Sequence, residues 1–301
     1  MDRRTGLIES TNSNAGENDV FSREQFRIEI QRNVAVALGE DVGTGDLTAR
    51  LAPAGRRAHG AVSSRQDAVL CGTAWFEGCF RTLDPRAAIR WQARDGESIR
   101  SGQILCEIDA DTRALLTAER TAINFLQLLS GTATTTRRYV EAVTGTAARV
   151  VDTRKTLPGL RFAQKYAVRM GGGTNHRIGL YDGILIKENH IVAAGGVGEA
   201  LEAAKLIAPQ GVFIQIEVET IAQLREALAA GATMILLDNM TLEQMREAVG
   251  IAKGRAVLEV SGGVGLDQVR RIAETGVERI SIGALTKDVR AVDLSLRHFE
   301  K

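Results

Sequence analysis

The chain has 301 residues, 44% of them hydrophobic and 25% charged, enough to build a sizeable core without metal or disulfide staples. Lys and Arg number 38 against 37 Asp and Glu, so no bulk basic field exists to hold nucleic acid or an anionic membrane, and aromatics, at 4%, are too scarce for base stacking. The three cysteines, Cys71, Cys79 and Cys106, form no CxxC pair; this speaks against a disulfide framework or zinc centre and for a reducing, cytoplasmic setting.

Residues 1–20 are polar, rich in Asn and Gly, and lack an apolar signal core, so a disordered tail is expected there. Ser22-Arg-Glu-Gln25 is a capping-box pattern, and Ile30, Val34, Ala37 and Leu38 follow at helical spacing, which predicts a helix ending near Gly39. Turn signals at Asp84-Pro85, Asp95-Gly96 and Ser101-Gly102 then break the chain into short segments, and residues 95–108 read as strands joined by tight turns. A helix is predicted from Leu115 to Gln127, with Ala118, Ala122, Leu126 and Leu129 able to line one face.

The texture changes after about Ala148. Short apolar strands, each closed by a polar residue or glycine, alternate with amphipathic helices. The strands are Arg149–Asp152, Gly183–Lys187, Phe213–Glu217, Met234–Asp238, Ala256–Ser261 and Arg279–Gly283. The helices include Ile221–Ala230, Leu242–Ala252 and Asp267–Thr275. Continuous Ile, Leu and Val runs suggest a parallel sheet buried on both faces. Six or seven such strands fit an incomplete barrel with one cryptic strand, or an open doubly wound sheet; both place function at the C-terminal strand ends.

Those ends carry Asp152 with Arg154 and Lys155 after it, then Lys187, Glu217, Asp238, Ser261-Gly262-Gly263 and Gly283. The span 152–190 is locally basic, with Arg154, Lys155, Arg161, Lys165, Arg169, Arg177 and Lys187. Gly171-Gly172-Gly173 allows a sharp turn that brings Asn175-His176-Arg177 toward the mouth. Such a set of arginines and lysines suits a substrate with several negative charges. The glycines after the last two strands sit where barrels bind phosphate. Glu217 and Asp238, with Glu219 as a substitute for Glu217, need something positive between them: a divalent metal, ribose hydroxyls or a developing cation at a sugar carbon. No HExxH, GxSxG or Walker A motif is present.

The blocks Glu40–Thr48, Glu119–Leu126, Leu129–Ala133, Asp152-Thr-Arg-Lys-Thr-Leu-Pro-Gly-Leu-Arg161, Gly171-Gly-Gly-Thr-Asn-His-Arg177, Leu185–His190, Leu236–Asn239 and Ser281–Leu285 resemble the quinolinate phosphoribosyltransferases, from about Phe21 to the end. Small departures are Thr132, Glu188 and Val260. The resemblance implies an N-terminal α/β sandwich over 21–131, with 290–301 packed on it, and an incomplete, roughly seven-stranded α/β barrel over 132–289. It also implies a homodimer whose sites are shared between subunits, a requirement for Mg²⁺, and transfer of phosphoribose from 5-phosphoribosyl-1-pyrophosphate (PRPP) to quinolinate. Carried over by position, Arg120 (from the partner subunit), Arg154, His176 and Arg177 would hold quinolinate. Lys155, Lys187, Glu217, Asp238, Ser261, Gly262, Gly263 and Gly283 would hold PRPP. Glu217 and Asp238 would also hold the metal, directly or indirectly, and His190 is read as structural. The competing readings are a phosphoribosyltransferase with another aromatic acceptor and a non-catalytic barrel that binds phosphorylated metabolites.

Overall fold

The computed structural model describes residues 22–299; the tail expected over 1–20 lies outside them. Helix α1 (Arg23–Val42) is capped by Ser22, whose hydroxyl accepts the Gln25 N–H, and it runs one turn past Gly39 to stop at Gly43, where φ is +51°. The first layer continues through β1 (Arg57–Ser64), β2 (Ala68–Val69), α2 (Thr73–Leu83), β3 (Ala88–Trp91), β4 (Ser98–Ile99), β5 (Ile104–Asp111) and α3 (Thr112–Ala142). Strands β1, β3 and β5 share an antiparallel sheet, and β12 (Leu294–Phe299) pairs with the outer edge of β1, so the end of the chain completes the first layer. Burial alternates along β1 and β5, as expected for a sheet packed on one face. Against that face lie Trp75, Phe76 and Phe80 of α2 and Leu115 and Leu126 of α3, all fully buried.

Helix α3 has 31 residues, far longer than the segment predicted from Leu115 to Gln127, and the boundary expected at 131 falls inside it. Gly131 and the threonines after it resemble helix breakers in sequence. In the fold, Thr134 donates to the Ser130 carbonyl at 2.6 Å and Thr136 to that of Thr132 at 2.8 Å, so the hydroxyls bond back onto their own helix. Gly131 is needed for a crossing: a Cβ there would collide with the Arg290 carbonyl as the chain returns toward β12. The stripe of Leu115, Ala118, Ala122, Leu126, Leu129 and Ala133, spaced three and four apart, is buried throughout.

The second layer alternates β6 (Arg149–Val151), α4 (Arg161–Met170), β7 (Gly183–Ile186), α5 (Glu188–Ala194), α6 (Val197–Ile207), β8 (Phe213–Val218), α7 (Ile221–Ala229), β9 (Met234–Asp238), α8 (Leu242–Ala252), β10 (Val257–Ser261), α9 (Val269–Ala273), β11 (Arg279–Ser281) and α10 (Ala284–Lys287). The six strands are parallel, in the order β6-β11-β10-β9-β8-β7. Thr174 makes a one-residue parallel bridge beside β6: its N–H donates to the Val150 carbonyl at 2.8 Å and its carbonyl accepts the Asp152 N–H at 3.1 Å. The bridge stands where a seventh strand would lie, but only six strands form among the described residues.

The sheet curls into a barrel. His176, tethered next to β6, reaches Gln215 on β8, four strands away, with a 2.7 Å contact. In a flat sheet that separation would be about 19 Å, at ~4.8 Å per strand. The strands are buried on both faces over much of their length, but the two faces differ in character. Ile216, Val218, Ile235, Leu237, Leu258, Val260, Ile280 and Ile282 join the helices in one core that includes Leu201, Leu224, Met245 and Val269. The alternate positions carry Gln215, Glu217, Asp238, Glu259, Ser261 and Ser281.

At the first strand end, Asp152 and Lys165 are both fully buried and paired. Asp152 also accepts the His176 N–H at 2.8 Å and the Asn175 side-chain amide at 2.6 Å, while Lys165 donates to the His176 carbonyl at 3.0 Å. Burial pushes the Asp152 carboxyl up and the Lys165 ammonium down, but three converging donors are the environment of an ionised carboxylate. Lys165 therefore belongs to the interior and not to the basic rim where its sequence neighbourhood put it. Lys165→Met leaves a buried carboxylate without its counter-charge; thermal or denaturant unfolding should show a loss of about 3–5 kcal/mol.

Candidate active site

The C-terminal ends of the strands converge on one mouth. Lys187, directly after β7, donates to the Glu217 carboxylate of β8 at 2.9 Å. Asp238, at the end of β9, has its carboxyl raised by partial burial and by Glu217 and pulled back by Lys187 and Lys155, so these four groups share one electrostatic environment. Lys155 comes from the loop after β6. Its aliphatic stem lies across Gly283 beyond β11, where a Cβ would stand 3.0 Å from the lysine Cδ. Glycine there makes room for the lysine.

The loop that carries Lys155 is braced from below. Thr286 donates to the Lys155 carbonyl at 2.7 Å, and Gln164, wholly buried, donates to the Thr286 carbonyl and accepts the Leu157 N–H. Arg161 donates to Thr156 Oγ1 and the Ile178 carbonyl, both at 3.1 Å, so it ties two loops together rather than serving the mouth. Arg154 and Lys155 are exposed on that brace. Arg177 is held lower: it donates to the Gly183 carbonyl at 2.9 Å, and burial followed by the neighbouring Arg154 depresses its pKa. Two guanidiniums close enough to repel mark a place that awaits negative charge.

His176 sits deeper than its neighbours. Its Nδ1 accepts the Arg177 N–H at 2.8 Å, its Nε2 donates to Gln215 Oε1 at 2.7 Å, and its side chain is 8% exposed. A ligand contact from Nε2 requires exchange of the Gln215 bond. His190 caps α5 by accepting the Lys187 N–H at 2.9 Å, which fixes the backbone of Lys187. Glu219 lies just beyond β8, which ends at Val218, and its N–H is bound by Gln223 at 2.9 Å. Arg120 is exposed on α3 and takes no part in the contacts that join the mouth group.

Ser261 ends β10, and Gly262 and Gly263 follow with φ of +110° and +58°. The tight space around Gly262 is filled by Asn239, a residue the sequence reading passed over. Asn239 adopts φ +53°, its N–H donates to the Ser261 carbonyl at 3.2 Å, and its amide donates to Asp238 Oδ2 at 2.8 Å. It thus orients the Asp238 carboxylate and spaces it from the glycine turn. The available signal was an asparagine, the residue most tolerant of that backbone region after glycine, directly behind a strand-terminal aspartate.

The fold and site define a class: an incomplete α/β barrel whose mouth sets a cationic grip and a glycine-rich turn around paired carboxylates, as suits polyanionic substrates. Residues 132–297 match the family model for the quinolinate phosphoribosyl transferase C-terminal domain, and residues 46–130 that for the N-terminal domain. Among curated relatives, a probable nicotinate-nucleotide pyrophosphorylase (carboxylating) of Bacillus subtilis is 40% identical over 257 residues, 85% of this chain and 89% of that one. The nicotinate-nucleotide pyrophosphorylase (carboxylating) of Mycobacterium leprae is 43% identical over 270 residues, 86% and 94% of the two chains. The solved nicotinate-nucleotide pyrophosphorylase of Francisella tularensis superposes with a TM-score of 0.87 at 42% identity, covering 90% of this chain and 96% of that one. The chain belongs to the quinolinate phosphoribosyltransferase family.

The raised Asp238 pKa means that the fold disfavours its charged form. Stability from this group falls as pH rises from its unfolded to its folded pKa. Asp238→Asn should therefore raise the thermal midpoint slightly at neutral pH, and the gain over wild type should vanish once both are measured below the ordinary carboxylate range.

Proposed function

We propose that this chain transfers the 5-phosphoribosyl group of PRPP to the ring nitrogen of quinolinate with loss of carbon dioxide, giving nicotinate mononucleotide and pyrophosphate. The carrying observation is that Lys155, Lys187, Glu217 and Asp238 share one electrostatic environment at the strand ends, where Arg154 also acts on Arg177 and the Ser261–Gly263 turn follows the strand beside that of Asp238. Two anionic substrates with a developing cation between them call for that set of charges.

In this reading Arg154 and Arg177, with Arg120, hold the two carboxylates of quinolinate, and His176, bonded to Gln215 and to the Arg177 N–H, sets Arg177 from behind. Ser261, Gly262, Gly263 and Gly283 donate to the 5′-phosphate, and Lys155 and Lys187 meet the pyrophosphate. Glu217 and Asp238 hold the ribose hydroxyls. The donor set also fits Mg²⁺ bound in the usual way, by one or two carboxylates plus substrate phosphates; among the described residues no cluster of three or more potential ligands makes an all-protein cage. Glu217 and Asp238 would hold the ion, which neutralises charge on the departing pyrophosphate.

The pyridine nitrogen attacks C1′ as the C1′–pyrophosphate bond breaks, and the carboxylates face the positive charge that builds on the sugar. The quaternised ring then accepts the electron pair released when the adjacent carboxylate leaves as carbon dioxide, and that carbon takes a proton from solvent. The protein supplies fixed orientation and preorganised charge, and no side chain acts as nucleophile.

Arg154, Lys155 and Lys187 are exposed, so none of the described residues covers them. A homodimer, in which the partner's first layer covers the mouth and brings Arg120 to it, supplies a cover. The reading places the enzyme in the cytoplasm: the three cysteines are free and buried, and no helix among the described residues is long and apolar enough to cross a membrane.

Release of labelled carbon dioxide from quinolinate, dependent on both PRPP and Mg²⁺, tests the reaction. Equal use of nicotinate would point to a different acceptor, and PRPP binding without consumption to a binding barrel. Lys155→Ala and Arg154→Ala should each lower kcat/KM by about 100-fold or more with little change in thermal midpoint, because their side chains are exposed; near-normal turnover in either would remove it from the site. Arg120→Ala and Lys155→Ala chains, mixed with subunit exchange proven, should regain activity through one intact hybrid site. A mixture that stays inactive overturns the shared site.

A further inference from the structure

Directly beneath the mouth the barrel interior is polar on β8, β10 and β11, where barrels of this kind are normally filled by branched aliphatic side chains, as Leu236 fills it on β9. Gln215 lies one inward position below Glu217 on β8, Glu259 one below Ser261 on β10, and Ser281 one below Gly283 at β11; all three are buried. His176 enters this layer from the segment beside β6.

The proton positions follow from the donors. His176 Nδ1 accepts the Arg177 N–H, so the ring proton lies on Nε2 and is given to Gln215 Oε1. That in turn fixes the Gln215 amide the other way round, and its Nε2 has no partner although it is buried. Glu259 Oε1 is 3.7 Å from His176 Nε2, with the carboxylate held by Arg279 at 2.8 Å and by the Ser281 hydroxyl. The charged groups around the ring are Glu259 from β10, Arg279 from β11, Lys165 from α4 and Asp152 at the end of β6, which accepts the His176 N–H. Burial lowers the imidazole pKa against the pull of Glu259. Burial also tends to raise the Glu259 carboxyl, but His176, Arg279 and Ser281 outweigh it.

An apolar layer would avoid both the desolvated carboxylate and the unpaired amide, each of which costs stability. What the polar layer secures is the placement of His176, and the residue after it is Arg177, whose own N–H is bound to that ring. We propose that Gln215 and Glu259 are positioning residues for the diacid: acting through His176, they set Arg177 beside Arg154 before the substrate arrives. This rests on Arg154 and Arg177 being the carboxylate grip.

Kinetics of Gln215→Leu and Glu259→Gln test it. Each should raise the KM for quinolinate about tenfold while the KM for PRPP and kcat change less than about threefold. Gln215→Glu, which keeps an acceptor for the ring, should recover most of the quinolinate KM. Combining His176→Asn with Gln215→Leu should cost no more than the worse single change, since both break one strut. Additive losses, or equal rises in both KM values, or no rise in either, overturn the proposal. The position of the ring proton, read from ¹⁵N shifts of His176, is independent of catalysis. Gln215→Leu should erode the Nε2–H form, and an unchanged tautomer sinks the strut even if Gln215→Leu folds poorly and Glu259→Gln alone is assayed. A wild-type enzyme that releases no carbon dioxide would defeat the functional reading, and the tautomer measurement would then decide the strut by itself.

Discussion

The Asp152 carboxylate takes three donors inside the barrel: the Lys165 ammonium, the Asn175 amide and the His176 backbone N–H. Two of them come from the segment that follows the triple glycine, and the third from α4, which packs against the first layer through Phe162 and Tyr166. One buried charge therefore decides where the chain between α4 and β7 runs. It closes the space between the two edge strands, which the bridge at Thr174 alone would do weakly, and it delivers His176 to the interior and Arg177 to the rim. Without this anchor the sheet would have six strands and a slot, and the cationic grip would have no fixed base.

Above that anchor the mouth is arranged by charge. Arg154 follows β6 and acts on Arg177, the glycine turn follows β10, and Asp238 and Glu217 stand on the next two strands, β9 and β8, with Lys187 paired to Glu217 and both Lys187 and Lys155 acting on Asp238. Glu217 is paired with Lys187, Asp238 is held by the Asn239 amide, and Arg177 by the Gly183 carbonyl, while Glu217 still raises the Asp238 carboxyl and Arg154 still depresses Arg177. Such a surface is less stable than a neutral one and is ready to exchange its internal partners for a ligand's.

Most of the barrel was legible because each strand announces its own end: an apolar run of three to five residues closed by a charge or a glycine reports both the strand and the face of the fold at which chemistry happens. That the polar residues at those ends face one mouth was readable for the same reason. What composition could not reveal was depth. Lys165 and Arg177 look alike in a basic stretch, yet one is a core ion pair and the other a rim cation; only the buried Asp152 separates them. Helix α3 was underestimated because Gly131 and Thr132–Thr136 favour a break locally, whereas in the fold Gly131 makes room for the chain crossing at Arg290 and Thr134 and Thr136 bond back onto the helix. Asn239 and Glu259 went unread because each acts through a neighbour. For Gln215 a signal did exist, since a strand reading Gln-Ile-Glu has its two polar residues on the same, inward side.

The close passage of Arg290 over Gly131, and the pairing of β12 with β1, mean that the first layer is built from segments that flank the barrel strands in the chain. During synthesis the sheet of β1, β3 and β5 emerges ahead of the barrel strands but lacks its β12 edge until they have been made. A polypeptide interrupted before β12 would leave the β1 edge exposed, an open invitation to mispairing with another nascent chain.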